Sequence, residues 1–407
     1  MSEWMGSVPK RWNVVKIKRC ISHFQYGISD PIDGIGRFKV ITVGEVRSGK
    51  VHIPAYGNLN NIYQDFILNY GDILYNRTNS LSLLGKVGVF TGDKKDNITF
   101  SSYLVRLVFN TNNNCFYFNY QLNCINFLSY IQSNAYVSIN QSNLNPNRYK
   151  EFYIVQPPLS KQQPIANFLD TKTSSINNYL KFKSSKLTNL VDAKTHTYNF
   201  IKNDYKTTRL KYIATVIPGK SLSNKPVLTN SQQVNVVSFK HVLDDNIVTS
   251  GLQSGNVSSD FLVKNKLEYN DVLITGEGDY HLLGRTGLFK DKANNYVAGA
   301  GVYVIRVNQA LIDPEFLSIY IRTATCKNYF SNHNLAAHYP PIVSLTDLKN
   351  LPVPLIPLPD QKQIAATVKS KISKINSCIN LVQSQIKLME EYHKSLIFEA
   401  VTGKLDI

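Results

Sequence analysis

The sequence predicts an α+β fold in which two similar globular domains are separated by two long helices. The helices are expected to form an antiparallel coiled coil, which would make the molecule pseudo-two-fold symmetric. Three observations predict this fold. The chain of 407 residues contains a long internal repeat, each half alternates short β-branched and aromatic runs with turn residues, and a helical pattern follows a proline-rich segment in both halves.

The internal repeat has an offset of 199 residues. Tyr70–Leu74 (YGDIL) returns as Tyr269–Leu273 (YNDVL), and Leu84–Phe90 (LGKVGVF) returns as Leu283–Phe289 (LGRTGLF). This period is far longer than the unit of about 20–50 residues that is typical of a solenoid. The repeat therefore indicates a duplicated domain and suggests one task that is performed at two places.

The globular part of each half is predicted to combine strands with a shorter helix. Runs of β-branched and aromatic residues bounded by Gly, Asn and Asp predict the strands, and the helix follows the last of them. The predicted strands are Phe38–Val43, Ser102–Val108, Val234–Phe239 and Gly301–Val307, and the predicted helices are Phe116–Ile131 and Pro314–Tyr329.

A proline-rich segment precedes each long helix: Gln156–Leu159 (QPPL) in the first half and Pro352–Pro359 (PVPLIPLP) in the second. Such a run is extended and stiff and cannot continue a helix. Ser160–Gln163 and Asp360–Gln363 each fit a capping box, in which a small acceptor is followed three residues later by Gln. The boxes predict where the two helices begin.

The second long helix carries apolar residues at alternating spacings of four and three, the pattern of a coiled-coil seam. A matching stripe lies 199 positions earlier on the first helix, where Thr173 and Lys183 interrupt it. One interpretation is an amphipathic helix that packs on its own domain, but the matched registers favour an antiparallel pair within the chain. The predicted seam is Leu169, Ile176, Leu180, Leu187, Leu190, Val368, Ile372, Ile375, Ile379, Val382, Ile386 and Met389.

These segments divide the chain into four parts. We expect a first globular domain over 1–157, a central helical spacer over 158–202, a second globular domain over 203–357 and a C-terminal helical spacer over 358–407. A helix of about 35 residues spans roughly 50 Å at 1.5 Å per residue. The paired helices would then form a rod with one globular domain near each end.

The charge balance favours a polyanionic partner. Lys and Arg number 45 against 28 Asp and Glu, which gives a net charge of +17. Nucleic acid is the first candidate, an anionic membrane is the second, and simple solubility is the alternative that needs no partner. The five scattered cysteines lack a Cys-x-x-Cys motif, and neither a leader-like start nor a run of about 18 apolar residues is present. These absences favour a cytoplasmic protein, and with nucleic acid as the first candidate we expect no membrane partner.

Motifs of two common classes of DNA-acting enzyme are incomplete. Ala214–Ser221 (ATVIPGKS) lacks the first glycine of a phosphate-binding P-loop. Gln156–Leu159 and Tyr339–Ile342 (YPPI) lack the leading Asp or Asn and the final aromatic residue that hold adenine in amino-methyltransferases. We therefore expect neither a phosphate-binding P-loop nor an adenine-methylating site at these segments.

A metal site is also not expected. His333 and His338 are not in metal-ligand spacing. Glu277, Asp279 and His281 lie within one turn, but the first copy has only hydroxyl side chains at the corresponding positions. Solvated loop residues, some in contact with bases, are the favoured interpretation of this group.

The two copies agree on framework positions and differ in two loops. After the shared Asp and Leu, Tyr75–Ser80 (YNRTNS) corresponds to Ile274–Asp279 (ITGEGD), and before the proline-rich segment Ile139–Asn143 (INQSN) corresponds to His338–Ile342 (HYPPI). Asn, Gln and Arg can make bidentate hydrogen bonds to base edges, and Glu can accept from cytosine. Different loops on one scaffold would read different sequences, whereas unconstrained drift is the alternative.

The candidate DNA-binding residues come from these loops and from basic positions near them. Two pairs of cations are retained in both copies, Lys86 with Arg285 and Arg106 with Arg306, and they can serve either phosphates or the fold. The candidates are Asn76, Arg77, Thr78, Asn79, Lys86, Asn140, Gln141, Asn143, Lys240, Thr275, Glu277, His281, Arg285, His338 and Tyr339.

Four segments, taken in order along the chain, form a recognisable set: Gly6–Trp12 (GSVPKRW), Gly71–Arg77 (GDILYNR), Pro357–Ala365 (PLPDQKQIA) and Glu391–Lys404 (EYHKSLIFEAVTGK). Together they resemble the specificity (S) subunit of type I restriction–modification systems, and the last two are the most specific. The first helix departs from the carboxyl-terminal signature of that family, since Val191–Tyr198 reads VDAKTHTY.

The resemblance implies a non-catalytic, sequence-specific DNA-binding subunit. Two target-recognition domains would each read one half of a bipartite, asymmetric site in double-stranded DNA. The helices would set the gap between the halves and dock two modification subunits, which carry out adenine-specific DNA methylation. Restriction/translocase subunits would complete an ATP-dependent endonuclease.

The same resemblance implies that no cofactor is bound by this chain, because S-adenosylmethionine, ATP and Mg would belong to the partner subunits. Two alternatives remain open. One is a duplicated interaction module that does not bind DNA. The other is the specificity part of a related methyltransferase.

Overall fold

The computed structural model describes residues 4–30, 35–137, 142–198, 205–221, 231–276, 284–293, 295–333 and 343–407. The chain forms two compact units. Unit 1 comprises Met1–Ser184 with Ser384–Ile407, and unit 2 comprises Ser185–Gln383. Each unit contains one globular part and a segment of each long helix. The predicted α+β content and the two long helices are confirmed.

In unit 1, the strand Leu104–Phe109 is an inner strand of the main sheet, and its residues Leu104–Leu107 are all buried. Burial on both faces explains why three of these four residues are apolar; the fourth is Arg106. The strands are β1 (Asn13–Lys16), β2 (Ile21–Tyr26), β3 (Lys39–Ile41), β4 (Val46–Arg47), β5 (Gly49–Val51), β6 (Ile73–Asn76), β7 (Thr78–Asn79), β8 (Val87–Val89), β9 (Ile98–Phe100), β10 (Leu104–Phe109), β11 (Tyr136–Val137), β12 (Ser142–Asn143) and β13 (Tyr153–Gln156). The helices are α1 (Cys115–Leu122), α2 (Ile125–Gln132), α3 (Pro146–Tyr149) and α4 (Leu159–Thr197), which continues into unit 2.

Unit 2 uses the same kinds of element. Its strands are β14 (Thr207–Arg209), β15 (Ala214–Pro218), β16 (Ser231–Val237), β17 (Val242–Leu243), β18 (Asn246–Ile247), β19 (Gln253–Ser258), β20 (Val272–Thr275), β21 (Thr286–Leu288), β22 (Tyr296–Ala298), β23 (Val302–Val307) and β24 (Pro352–Pro354). Its helices are α5 (Ser259–Asn265), α6 (Pro314–Ile321), α7 (Ala324–His333), α8 (Leu345–Asn350) and α9 (Leu358–Thr402), which continues into unit 1.

The strand order of the main sheet is repeated. Unit 1 has the order β2-β10-β6-β8-β5-β4, and unit 2 has β15-β23-β20-β21. The first four strands of one sheet correspond to the four strands of the other, with antiparallel pairing throughout both sets. A two-stranded sheet, β1–β13 or β14–β24, precedes the long helix in each unit.

The predicted shorter helices are each broken in two. α1 ends at Leu122 and α2 begins at Ile125, because the side chain of Asn123 accepts from the N–H of Val87 at 3.1 Å and donates to its carbonyl at 3.0 Å. Arg322 takes the corresponding place between α6 and α7. Its guanidinium is buried and donates to the carbonyl of Thr286, the counterpart of Val87. A polar side chain thus ends the first helix of each pair by bonding to the sheet.

The predicted capping boxes do not start the long helices, which begin one or two residues earlier, at Leu159 and Leu358. The buried side chain of Gln162 instead accepts from the N–H of Asn114 at 2.6 Å and donates to the carbonyl of Pro157 at 2.9 Å. Each helix start is therefore fixed by a glutamine that bonds to the globular part.

The equivalent glutamine in unit 2 is Gln361. It accepts from the N–H of Asp313 at 2.8 Å and donates to the carbonyls of Ile356 and Leu311 at 2.8 and 3.1 Å. The arrangement in unit 2 thus matches the bonds of Gln162, and the duplication extends to the way in which a helix is joined to its domain.

Within unit 1, α4 and α9 run antiparallel. Thr173 contacts His393 at 3.1 Å, and Lys183 donates to Gln385 at 2.7 Å. Residues with higher numbers on α4 therefore contact residues with lower numbers on α9. All twelve predicted seam residues are buried or half-buried. The two polar interruptions of the first stripe lie in the seam as well, each with a polar partner on α9.

Candidate nucleic-acid interface

Three backbone hydrogen bonds close the base of the divergent loops in unit 1. The N–H of Asn76 donates to the carbonyl of Lys86 at 2.9 Å, and the N–H of Gly85 donates to the carbonyl of Asn76 at 2.8 Å. The N–H of Leu144 donates to the carbonyl of Arg77 at 2.9 Å. The third bond joins the two loops, which are far apart in sequence. We call this set of bonds the loop frame.

The loop frame recurs in unit 2. The N–H of Thr275 donates to the carbonyl of Arg285 at 3.0 Å, and the N–H of Gly284 donates to the carbonyl of Thr275 at 3.1 Å. The N–H of Val343 donates to the carbonyl of Gly276 at 2.8 Å. Each donor and acceptor lies 199 positions after its counterpart in unit 1. The two copies thus support different loop sequences on one backbone arrangement.

In unit 1 the two predicted loops meet in a small sheet with the order β11-β12-β7. Asn143 of β12 pairs with Thr78 of β7, and Ser142 pairs with Asn79. Polar residues of both loops therefore lie side by side on neighbouring strands. Adjacent amide and hydroxyl side chains of this kind are suited to hydrogen bonds with base edges.

The candidates of unit 1 differ in how much surface they present. Asn143 is exposed, and Arg77, Asn79 and Lys86 are half-buried. The side chains of Asn76 and Thr78 are buried, with 2% and 9% of their surface exposed, so they support the loop frame in this arrangement. Asn140 and Gln141 lie outside the described residues.

Arg77 has the most defined geometry of the candidates. Its Nε donates to Oγ1 of Thr78 at 3.3 Å, and its Cζ lies 5.2 Å from the ring centroid of Tyr26. Beneath it, Tyr75 stacks on Tyr149 with ring centroids 4.2 Å apart. Burial raises the pKa of Tyr75 well above its ordinary value, with smaller contributions from Tyr149 and Tyr26, so its hydroxyl stays protonated.

Buried polar atoms without a hydrogen-bond partner among the described residues occur at the loop frame of both units. They are the hydroxyls of Tyr75 and Tyr149 and Oδ1 of Asn76 in unit 1, and Nε of Arg285 in unit 2. Each such atom costs about 1–3 kcal/mol when it is left unpaired. Five further atoms of this kind lie elsewhere in the described part of the chain, on Gln25, His52, Thr99, Ser101 and Arg106, so unpaired atoms do not single out the loop frame.

The candidates of unit 2 are described only in part. Thr275 is buried and its Oγ1 accepts from the N–H of Arg285 at 3.0 Å. Lys240 is exposed, with its Nζ 5.9 Å from the ring of Phe239. Arg285 is half-buried and lines a cavity of about 450 Å³ with three other cations, Lys194, Arg322 and Lys327. Glu277, His281, His338 and Tyr339 lie outside the described residues, as does Asp279.

Arg106 and Arg306 serve the fold. Arg106 is buried and donates to the carbonyl of Ile67 at 2.9 Å and to Asp72 at 3.4 Å. Arg306 donates to Asp271, the counterpart of Asp72, at 2.8 and 2.9 Å. Because both guanidiniums bond within the protein, they are not free to contact phosphates.

The segment that resembles a P-loop is part of a sheet. Ala214–Pro218 forms β15, and the N–H groups of Gly219 and Lys220 donate to the carbonyls of Val302 and Ala298 at 2.7 and 3.0 Å. These N–H groups are therefore not available to hold a phosphate. Among the described residues, no group of three or more His, Cys, Asp or Glu is arranged to hold a metal ion. The described helices include none with the length and apolar character of a membrane span.

Two aromatic residues at the interface of unit 1 were not predicted from the sequence. Tyr26, at the end of β2, lies under the guanidinium of Arg77, and the carbonyl of Tyr103 accepts from the N–H of Arg77 at 3.2 Å. Both tyrosines are exposed, by 41% and 54%. They lie about 50 and 25 residues from Arg77 along the chain, and no sequence spacing signals their approach.

Comparison with known proteins matches both halves of the chain to one family. A family model described as the type I restriction modification DNA specificity domain matches residues 26–189 and 202–387. A putative type I restriction enzyme specificity subunit (MjaX) from Methanocaldococcus jannaschii is 24% identical over 147 residues, which cover 36% of this chain. The match spans about a third of that relative's length, 34%.

Solved structures share the fold. A chain from a study of complex assembly and conformational transition of the type I R-M system superposes with a TM-score of 0.71 at 14% identity, covering 98% of this chain and 100% of that one. The HsdS subunit from Thermoanaerobacter tengcongensis superposes with a TM-score of 0.57 at 14% identity, covering 100% of both chains. At this level of identity the likeness concerns the fold alone.

Proposed function

This chain belongs to the type I restriction modification DNA specificity domain family, which matches it twice, and we propose that it is the sequence-recognition subunit of a type I restriction–modification complex. Each unit reads one half of a bipartite DNA site. The two halves differ because the loops differ, so the site is asymmetric. The alternative interpretations, a module that does not bind DNA and a part of another methyltransferase, lack an observation that favours them.

The observation that carries the proposal is the loop frame. Six donors and acceptors recur at the same offset, while the residues between them change from YNRTNS to ITGEGD and from INQSN to HYPPI. A scaffold that is kept while its loops vary is the arrangement expected of two readers with different targets. The net charge of +17 supports a nucleic acid as the target.

The two long helices are proposed to set the distance between the half-sites and to dock two modification subunits. Phe182 on α4 is 64% exposed, and its counterpart Leu381 on α9 is 59% exposed. Both residues lie outside the seam, 199 positions apart, so each helix presents a large apolar side chain at an equivalent place. An apolar side chain exposed on a helix is the kind of anchor through which a helix docks in the groove of a partner.

The chemistry is proposed to belong to partner subunits. The modification subunits would bind S-adenosylmethionine and methylate adenine, and the restriction/translocase subunits would use ATP and Mg to move and cut unmodified DNA. The residues of this chain would bind the duplex and fix the position of the target bases. The family membership and the basic charge support this division of labour.

Filter binding of the full chain to duplex DNA at several salt concentrations tests the proposal. We expect an association constant that falls steeply with salt, because bound cations displace counterions from phosphates. We also expect competition by duplex DNA to be much stronger than competition by an acidic polypeptide of equal charge. Binding that is absent at low salt, or that the polypeptide displaces equally well, would contradict DNA recognition.

A further inference from the structure

We propose that Tyr26 is a positioning residue that holds the guanidinium of Arg77 for contact with a base edge. The inference rests on the proposed function, because a base contact presupposes that unit 1 reads DNA. It adds a residue of the main sheet to an interface whose predicted members come mostly from loops.

The main chain of Arg77 is fixed on both sides. Its N–H donates to the carbonyl of Tyr103 at 3.2 Å, and its carbonyl accepts from the N–H of Leu144 at 2.9 Å. The next residue, Thr78, begins β7 and pairs with Asn143 of β12. The position of the Arg77 Cα is therefore set, and the direction of the side chain decides what the guanidinium contacts.

Two contacts orient that side chain. Nε of Arg77 donates to Oγ1 of Thr78 at 3.3 Å, and Cζ lies 5.2 Å from the ring centroid of Tyr26, within the range of a cation–π contact. Nη1 and Nη2 donate to no residue in the part of the chain that the structure describes. These two nitrogens form the planar fork that binds O6 and N7 of guanine or two oxygens of a phosphate.

The ring of Tyr26 is supplied by the sheet. In the strand order β2-β10-β6, Tyr26 lies opposite Val105, and Val105 lies opposite Tyr75. Residues opposite one another in a sheet point to the same face, so Tyr26 and Tyr75 share the face below Arg77. Phe24, two residues earlier on β2, packs edge-on against Tyr26 with ring centroids 6.0 Å apart. A ring held by a sheet positions a side chain better than a loop residue can.

Unit 2 lacks this arrangement. Gly276 stands where unit 1 has Arg77. Pro218, which lies opposite Tyr303, stands where unit 1 has Tyr26, which lies opposite Val105. The hydroxyl of Tyr303 donates to the carbonyl of Val343 at 2.9 Å, and a Cβ on Gly276 would overlap the ring of Tyr303. An effect of Tyr26 is therefore confined to one half-site, and the other half-site serves as an internal control.

In the test, the full chain selects DNA duplexes from a pool of randomised sequence, and the bound duplexes are sequenced. We expect Arg77→Ala to lower the preference for one base at one position by roughly ten-fold or more. We expect Tyr26→Ala to lower the preference at that same position by roughly two- to five-fold, the size of a partly exposed cation–π contact. Adding Tyr26→Ala to Arg77→Ala should have no further effect, because Tyr26 acts through Arg77.

Two further variants separate positioning from a general loss of structure. Tyr26→Phe keeps the ring and is expected to restore the wild-type preference. Tyr153 in β13 is a matched control for Tyr26, because it is 39% exposed and has Lys16 Nζ 5.6 Å from its ring centroid. Tyr153→Ala should leave the base preference unchanged.

A wild-type preference in the Tyr26→Ala variant, or an additional loss in the double variant, would overturn the inference and leave the proposed function standing. If the wild-type chain enriches no sequence, the proposed function fails and this inference fails with it.

Discussion

Lys86 occupies a different kind of position from Arg77. Its carbonyl belongs to the loop frame, and its half-buried side chain makes no hydrogen bond or ion pair with any residue in the described part of the chain. Unit 2 carries Arg285 at the same place. A cation that is kept while the loops around it change is suited to a phosphate, because every DNA sequence presents one.

We therefore expect Lys86→Ala to weaken binding to all sequences alike. The slope of log K against log salt concentration should become shallower by about 1, the release of one counterion. Binding titrations over a range of salt concentrations measure this slope. Lys18→Ala is a control, because Lys18 is already paired with Glu151 at 2.7 Å. A changed base preference with an unchanged slope would argue for a base contact instead.

Gln162 joins α4 to the globular part of unit 1 and is fully buried. Gln162→Leu would leave the N–H of Asn114 and the carbonyl of Pro157 without this partner. We expect a loss of about 2–3 kcal/mol in the free energy of unfolding, and an exposed neighbour, Gln163→Leu, should cost about 0.5 kcal/mol or less. Calorimetric unfolding of the full chain compares the two variants. Equal effects would show that the buried bonds contribute little.

Arg106 and Arg306 look equivalent when the two halves of the sequence are compared, but they occupy different strand positions. Arg106 and Arg306 reach equivalent aspartates, but their numbers differ by 200 rather than 199. Leu107 lies opposite Ile73, whereas Ile305 lies opposite Val272, the counterpart of Ile73. Arg106 therefore precedes the matched strand position, and Arg306 follows it. The sequence predicts a retained cation here; the strand register shows that the two arginines occupy different positions, and their hydrogen bonds to Asp72 and Asp271 show that both serve the fold.

Among the elements, α4 and α9 were predicted best and their starts were predicted worst. Heptad spacing fixes which residues face the seam, because a helix repeats every 3.6 residues whatever lies around it. The helix starts depend on the bonds of Gln162 and Gln361 to distant segments. The break between α1 and α2 likewise depends on Asn123 bonding to β8, which is about 36 residues away along the chain. Contacts of this kind leave no local signal.

One polar pair of the seam, Thr173 with His393, is expected to make the stability of the helix pair in unit 1 depend on pH. His393 is half-buried, contacts Thr173 at 3.1 Å, and has a pKa that burial lowers below its ordinary value of 6.5. Below that ordinary pKa, the unfolded chain takes up a proton at this histidine more readily than the folded chain does. Stability is therefore present above pH 6.5 and is lost as the pH falls towards the lowered value.

We expect the melting temperature of the full chain to fall as the pH drops below about 6.5, and His393→Gln to reduce this fall. Thermal unfolding at a series of pH values measures it. His196→Gln, a change at an exposed position on α4, should leave the wild-type pH profile intact. A His393→Gln profile parallel to that of the wild type would refute a role for the seam histidine.

Over the whole molecule, the predicted duplication and the predicted family resemblance are confirmed by two matches to one family model. The sequence indicates which loops differ, but not that those of unit 1 meet in the β11-β12-β7 sheet. It also gives no sign of Tyr26, because the approach of Tyr26 to Arg77 follows from the order of three strands. The recognition residues themselves, and the division into four parts, stay predictions.

The central claim is that two copies of one scaffold read two different half-sites. The most direct test is to coexpress this chain with its modification subunit and to sequence the methylated adenines in the DNA of the cell. We expect methylation within one bipartite motif, with two unlike halves separated by a gap of constant length. Methylation of a palindrome, of a single continuous motif, or of no defined site would contradict it.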